Sequence, residues 1–334
     1  MVYSREQIQD RVQAVAGAVR QDSQGRELVA VKKEGSPMKR ILVPLDGSLL
    51  AEAILPVAEE WAREEEAEVI LLWATRAYRG VGGDDTGPQM WSVEEGEAYL
   101  KAVADRLERR GLREVRRLVW YQEPVTAITQ AAVAKTVDLI AMATHGRSGL
   151  SRLLLGSVAL GVARSARLPM LLIRGQSAWK PWAHRKMLVP LDGSETSEAI
   201  LPVVGRLAGS RNLRVTLLHV LEPARSGVLQ PEIGLDEWMT VRRRDADRHL
   251  AKVAESLRDR RVRVECAVRF GRPVETIVAV AGQEREDLIA MVTHGRRGLG
   301  RLFFGSVAEE VLRRAAVPVL LFKAAESGQA TSTA

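Results

Sequence analysis

One cysteine, Cys266, stands in 334 residues. A disulfide within the chain is therefore excluded, and the thiol count fits a reducing compartment such as the cytoplasm. Aromatic residues contribute 4%, so Val, Leu, Ile and Ala must fill the cores that a 46% hydrophobic content supports. No apolar run approaches the roughly 18 residues of a bilayer span. The longest, such as 169–173, are of strand length. Residues 1–20 mix charged and apolar side chains, so no secretory leader and no membrane association are expected. The pattern GxxxxGK[ST] is also missing, which excludes a P-loop.

Charge is plentiful and mixed. Lys and Arg total 49 against 42 Asp and Glu, for a net charge of +7. The arginines alternate with acidic residues on the polar faces of predicted helices and form no long block. A nucleic-acid partner is therefore not expected, although the positive field favours a small anionic ligand.

The chain repeats itself. ILVPLDGS at 41–48 recurs as MLVPLDGS at 187–194, and both copies run into EAILPV, at 52–57 and 198–203. DLIAMATHGRSGLSRLLLGSVA at 138–159 returns as DLIAMVTHGRRGLGRLFFGSVA at 287–308. Matches in the same order at nearly the same spacing mark the duplication of one domain-sized unit.

Within the first unit, short apolar runs alternate with helical periodicity. Strands are expected at 40–44, 68–73, 114–120, 139–143 and 169–173. Helices are expected at 48–65, 91–110, 124–135 and 157–166, with a Gly- and Asp-rich loop at 76–90. The second copy repeats this order from 186 to 322. The fold class that follows is α/β, with two open parallel five-stranded sheets and helices on both faces. The domain organisation reads as an amphipathic helix and linker at 1–37 and a first domain at 38–174. A linker at 175–185, a second domain at 186–323 and a disordered tail at 324–334 follow. Ile8, Val12, Val15 and Val19 share one face of the N-terminal helix, and Trp179 and Trp182 would staple the linker to the domains.

In an open α/β sheet a ligand sits beyond the carboxyl ends of the strands, where strand order reverses. Two loops fall at such ends in each unit. The first is Pro44-Leu-Asp46-Gly-Ser48, repeated from Pro190 through Asp192. Asp46 there can accept from ribose hydroxyls or hold a divalent metal beside phosphates. The second runs from Thr144 to Ser157 and again from Thr293 to Ser306. Its glycines allow close backbone approach, and Gly156-Ser157 opens a helix whose free N–H groups suit phosphate. Each motif also has a purely structural explanation as a turn and helix cap. The occurrence of both loops on the correct strand ends, twice over, favours a binding site.

These motifs resemble the universal stress proteins. That family shares a strand ending in VPxDGS, a central GxP before a helix, and a G-x2-G-x9-G-[ST] phosphate loop. Residues 43–48 and 189–194 match the first element, and Gly146 with Gly156-Ser157 matches most of the last, as does Gly295 with Gly305-Ser306. The resemblance covers 39–174 and 186–323. It implies a Rossmann-like fold, ATP as the ligand, with Mg2+ or Mn2+, and dimerisation through fifth strands, here within one chain as a pseudo-dimer. It further implies that Asp46 and Asp192 contact ribose or metal, and that Pro44, Ala74, Pro190 and Val220 line the nucleotide pocket. Ala143, His145, Gly146, Arg147, Gly149, Gly156, Ser157 and Val158 would surround the phosphates in the first copy. Val292, His294, Gly295, Arg296, Gly298, Gly305, Ser306 and Val307 would do so in the second.

The chain departs from the pattern at three points. The first glycine of the phosphate loop is Ala143 in one copy and Val292 in the other, and the GxP glycine of the first copy is Gln122. The isopropyl of Val292 makes ATP a better fit to the first copy. His145 and His294 have no acidic neighbour in sequence, so no catalytic residue is assigned. Cys266 is expected in the core of the second unit. The functional expectation is adenine-nucleotide binding in a stress response. A nucleotide-free interaction module, meeting a second copy or another protein, and a slow ATPase are the alternatives.

Overall fold

The structure is a computed structural model, and it describes residues 38–75, 93–144, 156–174, 182–222, 235–293 and 305–324. The proposed N-terminal helix, Trp179 and the 76–90 loop lie outside them. The chain divides into two compact units, Met1–Pro181 and Trp182–Ala334.

The first unit runs β1 (Arg40–Leu45), α1 (Leu49–Glu52), α2 (Leu55–Glu65), β2 (Glu68–Thr75), α3 (Val93–Arg109), β3 (Val115–Tyr121), α4 (Pro124–Ala134), β4 (Leu139–Ala143), α5 (Ser157–Ser165) and β5 (Met170–Ile173). Its strand order is β3-β2-β1-β4-β5, with every described pairing parallel. The chain steps one way across the sheet from β1 to β3, then back through β4 to β5. Right-handed crossovers therefore put α1–α3 on one face and α4 and α5 on the other, and α4 packs against α5. Leu42, Leu71, Leu72, Leu139, Ala141 and Leu171 are fully buried, which is why β1, β2, β4 and β5 read as near-continuous apolar runs.

The second unit repeats the plan with β6 (Lys186–Pro190), α6 (Glu195–Glu198), α7 (Leu201–Arg211), β7 (Arg214–Leu221), α8 (Leu235–Arg258), β8 (Arg263–Phe270), α9 (Pro273–Gln283), β9 (Leu288–Val292), α10 (Ser306–Arg314) and β10 (Val319–Phe322). Its order is β8-β7-β6-β9-β10, again parallel. Trp182 lies beneath the Arg211 guanidinium, 5.7 Å from its ring centroid, within this unit.

Three details differ from the sequence reading. The single helix expected over 48–65 breaks at Ala53–Ile54, because Pro56 near the start of α2 offers no N–H and its ring crowds the preceding turn. Pro202 breaks α6 from α7 in the same way. Cys266 is exposed on β8, not buried; β8 is the last strand of its sheet, and the sulfur reaches the Leu250 carbonyl of α8, at 3.6 Å. The missing GxP glycine also has a reason. Gly271 sits at φ +153°, and a Cβ there would stand 2.5 Å from Thr276 Oγ1. Gln122 does not share that positive φ, and Ala127 takes the place of Thr276 in the first unit, so neither the backbone nor that neighbour calls for glycine there.

Candidate functional site

The site begins with how β1 leaves its neighbours. Successive peptide groups of a strand point to opposite edges. Lys39 O accepts from Glu68 N on the β2 side (2.8 Å), and Arg40 O accepts from Asp138 N on the β4 side (2.9 Å). Leu42 and Pro44 therefore face β4. The β1–β2 ladder continues to Leu45↔Trp73. The β1–β4 ladder consists of Ile41↔Leu139 and Leu42↔Ile140. Pro44 has no N–H with which to extend it. A crevice thus opens between β1 and β4 where strand order reverses. In the second unit Pro190 does the same, and the β6–β9 ladder consists of Met187↔Leu288 and Leu188↔Ile289.

The far ends of the same strands are clamped. Asp138 Oδ2 accepts from Lys39 N (2.9 Å) and Arg40 N (3.1 Å). Asp287 accepts from Ala183 N, His184 N and Lys186 N. Both aspartates stand in the repeated DLIAM segment, but the sequence reading gave them no role.

Asp46 and Ser48 form one wall of the crevice. Gly47 turns the chain at φ +81°, a conformation that suits glycine. Asp46 Oδ1 then accepts from Ser48 N (3.0 Å) and Ser48 Oγ (2.7 Å), while Ser48 Oγ caps α1 by accepting from Ala51 N (3.1 Å). Asp192 and Ser194 repeat the arrangement at 3.0 and 2.5 Å. The turn-and-cap role is therefore real, and it fixes where each carboxylate stands.

The start of α5 is fixed to the carboxyl end of β4. Thr144, 1% exposed, donates its N–H to Ile173 O (2.8 Å) and accepts from Gly156 N (2.8 Å). Thr293 makes the matching bonds to Phe322 O (2.9 Å) and Gly305 N (2.7 Å). These non-local backbone bonds tie the end of β4 to the start of α5 and escaped the sequence reading. Gly156 (φ −57°) and Gly305 (φ −62°) cap the two helices without any side-chain hydrogen bond. Any residue adopts those angles, so the backbone conformation does not itself require glycine at either position. Ser157 and Ser306 are exposed, and Val158 and Val307 are half-buried. His145, Gly146, Arg147 and Gly149, with His294, Gly295, Arg296 and Gly298, lie outside the described residues.

Ala143 and Val292 end β4 and β9 and are both buried, at 6% and 7% exposure, so the isopropyl of Val292 is packed against protein. Ala74 and Val220 are half-buried near the ends of β2 and β7. Beside Asp46 stands a cluster the sequence reading missed. Tyr99 donates to Glu52 Oε1 (2.9 Å), Arg106 pairs with Glu52 Oε2, and the Tyr99 ring tilts against Trp73 at 5.4 Å. Burial, the Glu52 hydrogen bond and the charges of Glu52 and Asp46 all push the Tyr99 phenol well above its ordinary pKa, and Arg106 opposes them. In the second unit His249 takes the place of Tyr99, with its Nε2 3.2 Å from Glu198. Among the described residues no group of three or more His, Cys, Asp or Glu could hold a metal. No helix of the described residues is long and apolar enough to cross a membrane.

The sequence profile of the universal stress protein family matches residues 37–174 and 183–323. A universal stress protein of Mycobacterium tuberculosis is 27% identical over 290 residues, covering 84% of this chain and 96% of its own. The crystal structure of a universal stress protein from Archaeoglobus fulgidus aligns with a TM-score of 0.64 at 20% identity, covering 86% of this chain and 98% of its own. A universal stress protein solved in complex with cAMP is 23% identical and covers 42% of this chain and 100% of its own, with a TM-score of 0.34. The chain belongs to the universal stress protein family and carries that family's domain twice.

Proposed function

We propose that this protein binds an adenine nucleotide, ATP foremost, at the carboxyl edge of one or both sheets and acts through the bound state in a cytoplasmic stress response. The observation that carries this reading is the crevice itself. Pro44 withholds the N–H that would extend the β1–β4 ladder, and Gly156 opens α5 without a side-chain cap hydrogen bond. Phosphate oxygens accept hydrogen bonds from backbone N–H groups at such a helix start, and the helix dipole adds to the attraction. Ser157 adds a hydroxyl, and Asp46 accepts from the ribose. Mg2+ or Mn2+ would be held by the phosphates beside Asp46 or Asp192. Ala74 and Val220 would border the base. The first unit is the better receptor, because Val292 is bulkier than Ala143.

A second reading, a nucleotide-free interaction module that meets a second copy or another protein, draws on Asp46 and Asp192 already serving as turn acceptors. No catalytic step is assigned to either crevice. Extraction and identification of nucleotide from the purified protein separates the two readings. Adenine nucleotide recovered from the native protein, and lost in Gly156→Val with folding intact, supports binding. Equal recovery of none from both proteins, together with no uptake of added MgATP, supports the interaction module.

A further inference from the structure

The second unit buries an acid where the first buries hydrocarbon. Glu286, 3% exposed, stands at the corner between α9 and β9. Thr216 on β7 donates its hydroxyl to Glu286 Oε1 at 2.8 Å, and Glu286 Oε2 has no hydrogen-bond partner among the described residues. The equivalent positions of the first unit are Ile70 and Val137, both buried. The equivalence follows from register: Arg40↔Glu68 in one unit corresponds to Lys186↔Arg214 in the other, and Asp138 corresponds to Asp287. An apolar pair has been replaced by a hydroxyl and a carboxyl.

Charge around this acid is sparse and partly opposed. Lys186, at the start of β6, favours the ionised form, but its Nζ donates to Glu284 O at 2.9 Å. Asp287 and Glu284 disfavour ionisation. On α9, which covers β7, no charged residue stands between Glu275 and Glu284. Burial is the largest influence and, against the Thr216 hydrogen bond that favours the ionised form, pushes the Glu286 carboxyl up to about 7. The corner it occupies is short: Glu286 N donates to Ala281 O (2.9 Å), and Arg285 turns the chain at φ +55°.

We propose that Glu286 is a proton-operated latch of the second unit, closing the α9–β9 corner when neutral and loosening it when ionised. The folded state holds this proton more tightly than the unfolded chain does. Stability is therefore full below the ordinary carboxylate range and is lost as pH rises from about 4.5 to about 7. The first unit, with Val137 in place, has no such dependence at this corner. The latch makes no use of bound nucleotide.

Hydrogen exchange on the full chain between pH 5 and pH 8.5, corrected for intrinsic exchange rates, tests it. Residues 282–292 should lose protection by about a hundredfold across that range, while residues 133–143 stay level. Glu286→Gln should abolish the loss. The double variant Thr216→Ile/Glu286→Val installs the first unit's pair and guards against a poorly folded single variant. An unchanged protection at 282–292 in the native chain, or a loss that persists in the double variant, would overturn the latch.

Discussion

Asp138 and Pro44 work on opposite ends of one strand pair. The Asp138 carboxylate holds the start of β1 to β4 through the N–H groups of Lys39 and Arg40, and Pro44 withholds the donor that would close the other end. The crevice is therefore built by one clamp and one deliberate gap, and Asp287 and Pro190 repeat the device.

Removing the clamp should cost stability. Asp138→Ala leaves two strand N–H groups without their acceptor, so urea unfolding should show a loss of about 1–3 kcal/mol. A change below about 0.5 kcal/mol would mean water replaces the carboxylate without penalty.

Closing the gap should cost binding. Pro44→Val restores an N–H facing β4, and the strand should pair further along its neighbour. Thermal stability should hold or rise while nucleotide affinity falls roughly tenfold or more, a change of about 1.4 kcal/mol. Unchanged affinity, measured by titration calorimetry, would separate Pro44 from the shape of the crevice.

The Tyr99 cluster offers a spectroscopic readout. A Cβ on Gly96 would stand 2.8 Å from the Trp73 ring, so Gly96→Ala should shift tryptophan emission and destabilise by about 1–3 kcal/mol. In alkaline absorbance titration, Tyr99 should ionise well after an ordinary tyrosine, and Glu52→Gln should bring it down. Because the folded state keeps this proton, Tyr99 should erode stability as pH rises through the ordinary tyrosine range near 10. A normal titration of all tyrosines would break the proposed contact.

Cys266 is accessible. A thiol reagent should label it in the native protein without denaturant. The reaction should be slower than with a free thiol, because partial burial raises its pKa against the opposing charge of Arg258. Labelling only after unfolding would place the sulfur inside.

What was legible in the sequence was what local chemistry dictates. The strand-to-turn character of residues 43–48 is written in Pro44, Gly47 and Ser48, whose backbone limits and capping groups act within a few residues. The duplicated order of elements followed from periodicity. The break between α1 and α2 was legible through Pro56, yet the apolar stripe across 51–62 outweighed it in the reading. Cys266 was misplaced because β8 is the last strand of its sheet, where cover is incomplete even on the side of α8, and strand order is set by pairing remote in sequence. The Thr144–Gly156 bond and the Glu52–Tyr99 contact join residues that meet only after the sheet forms. Nothing in the sequence neighbours of Glu286 announces its burial.

Direct titration of MgATP into the purified chain bears most closely on the central claim. The account predicts saturable binding, with Gly156→Val removing the site of the first unit and leaving urea unfolding unchanged. No binding at millimolar MgATP to a folded native chain, or binding that Gly156→Val leaves intact, would contradict it.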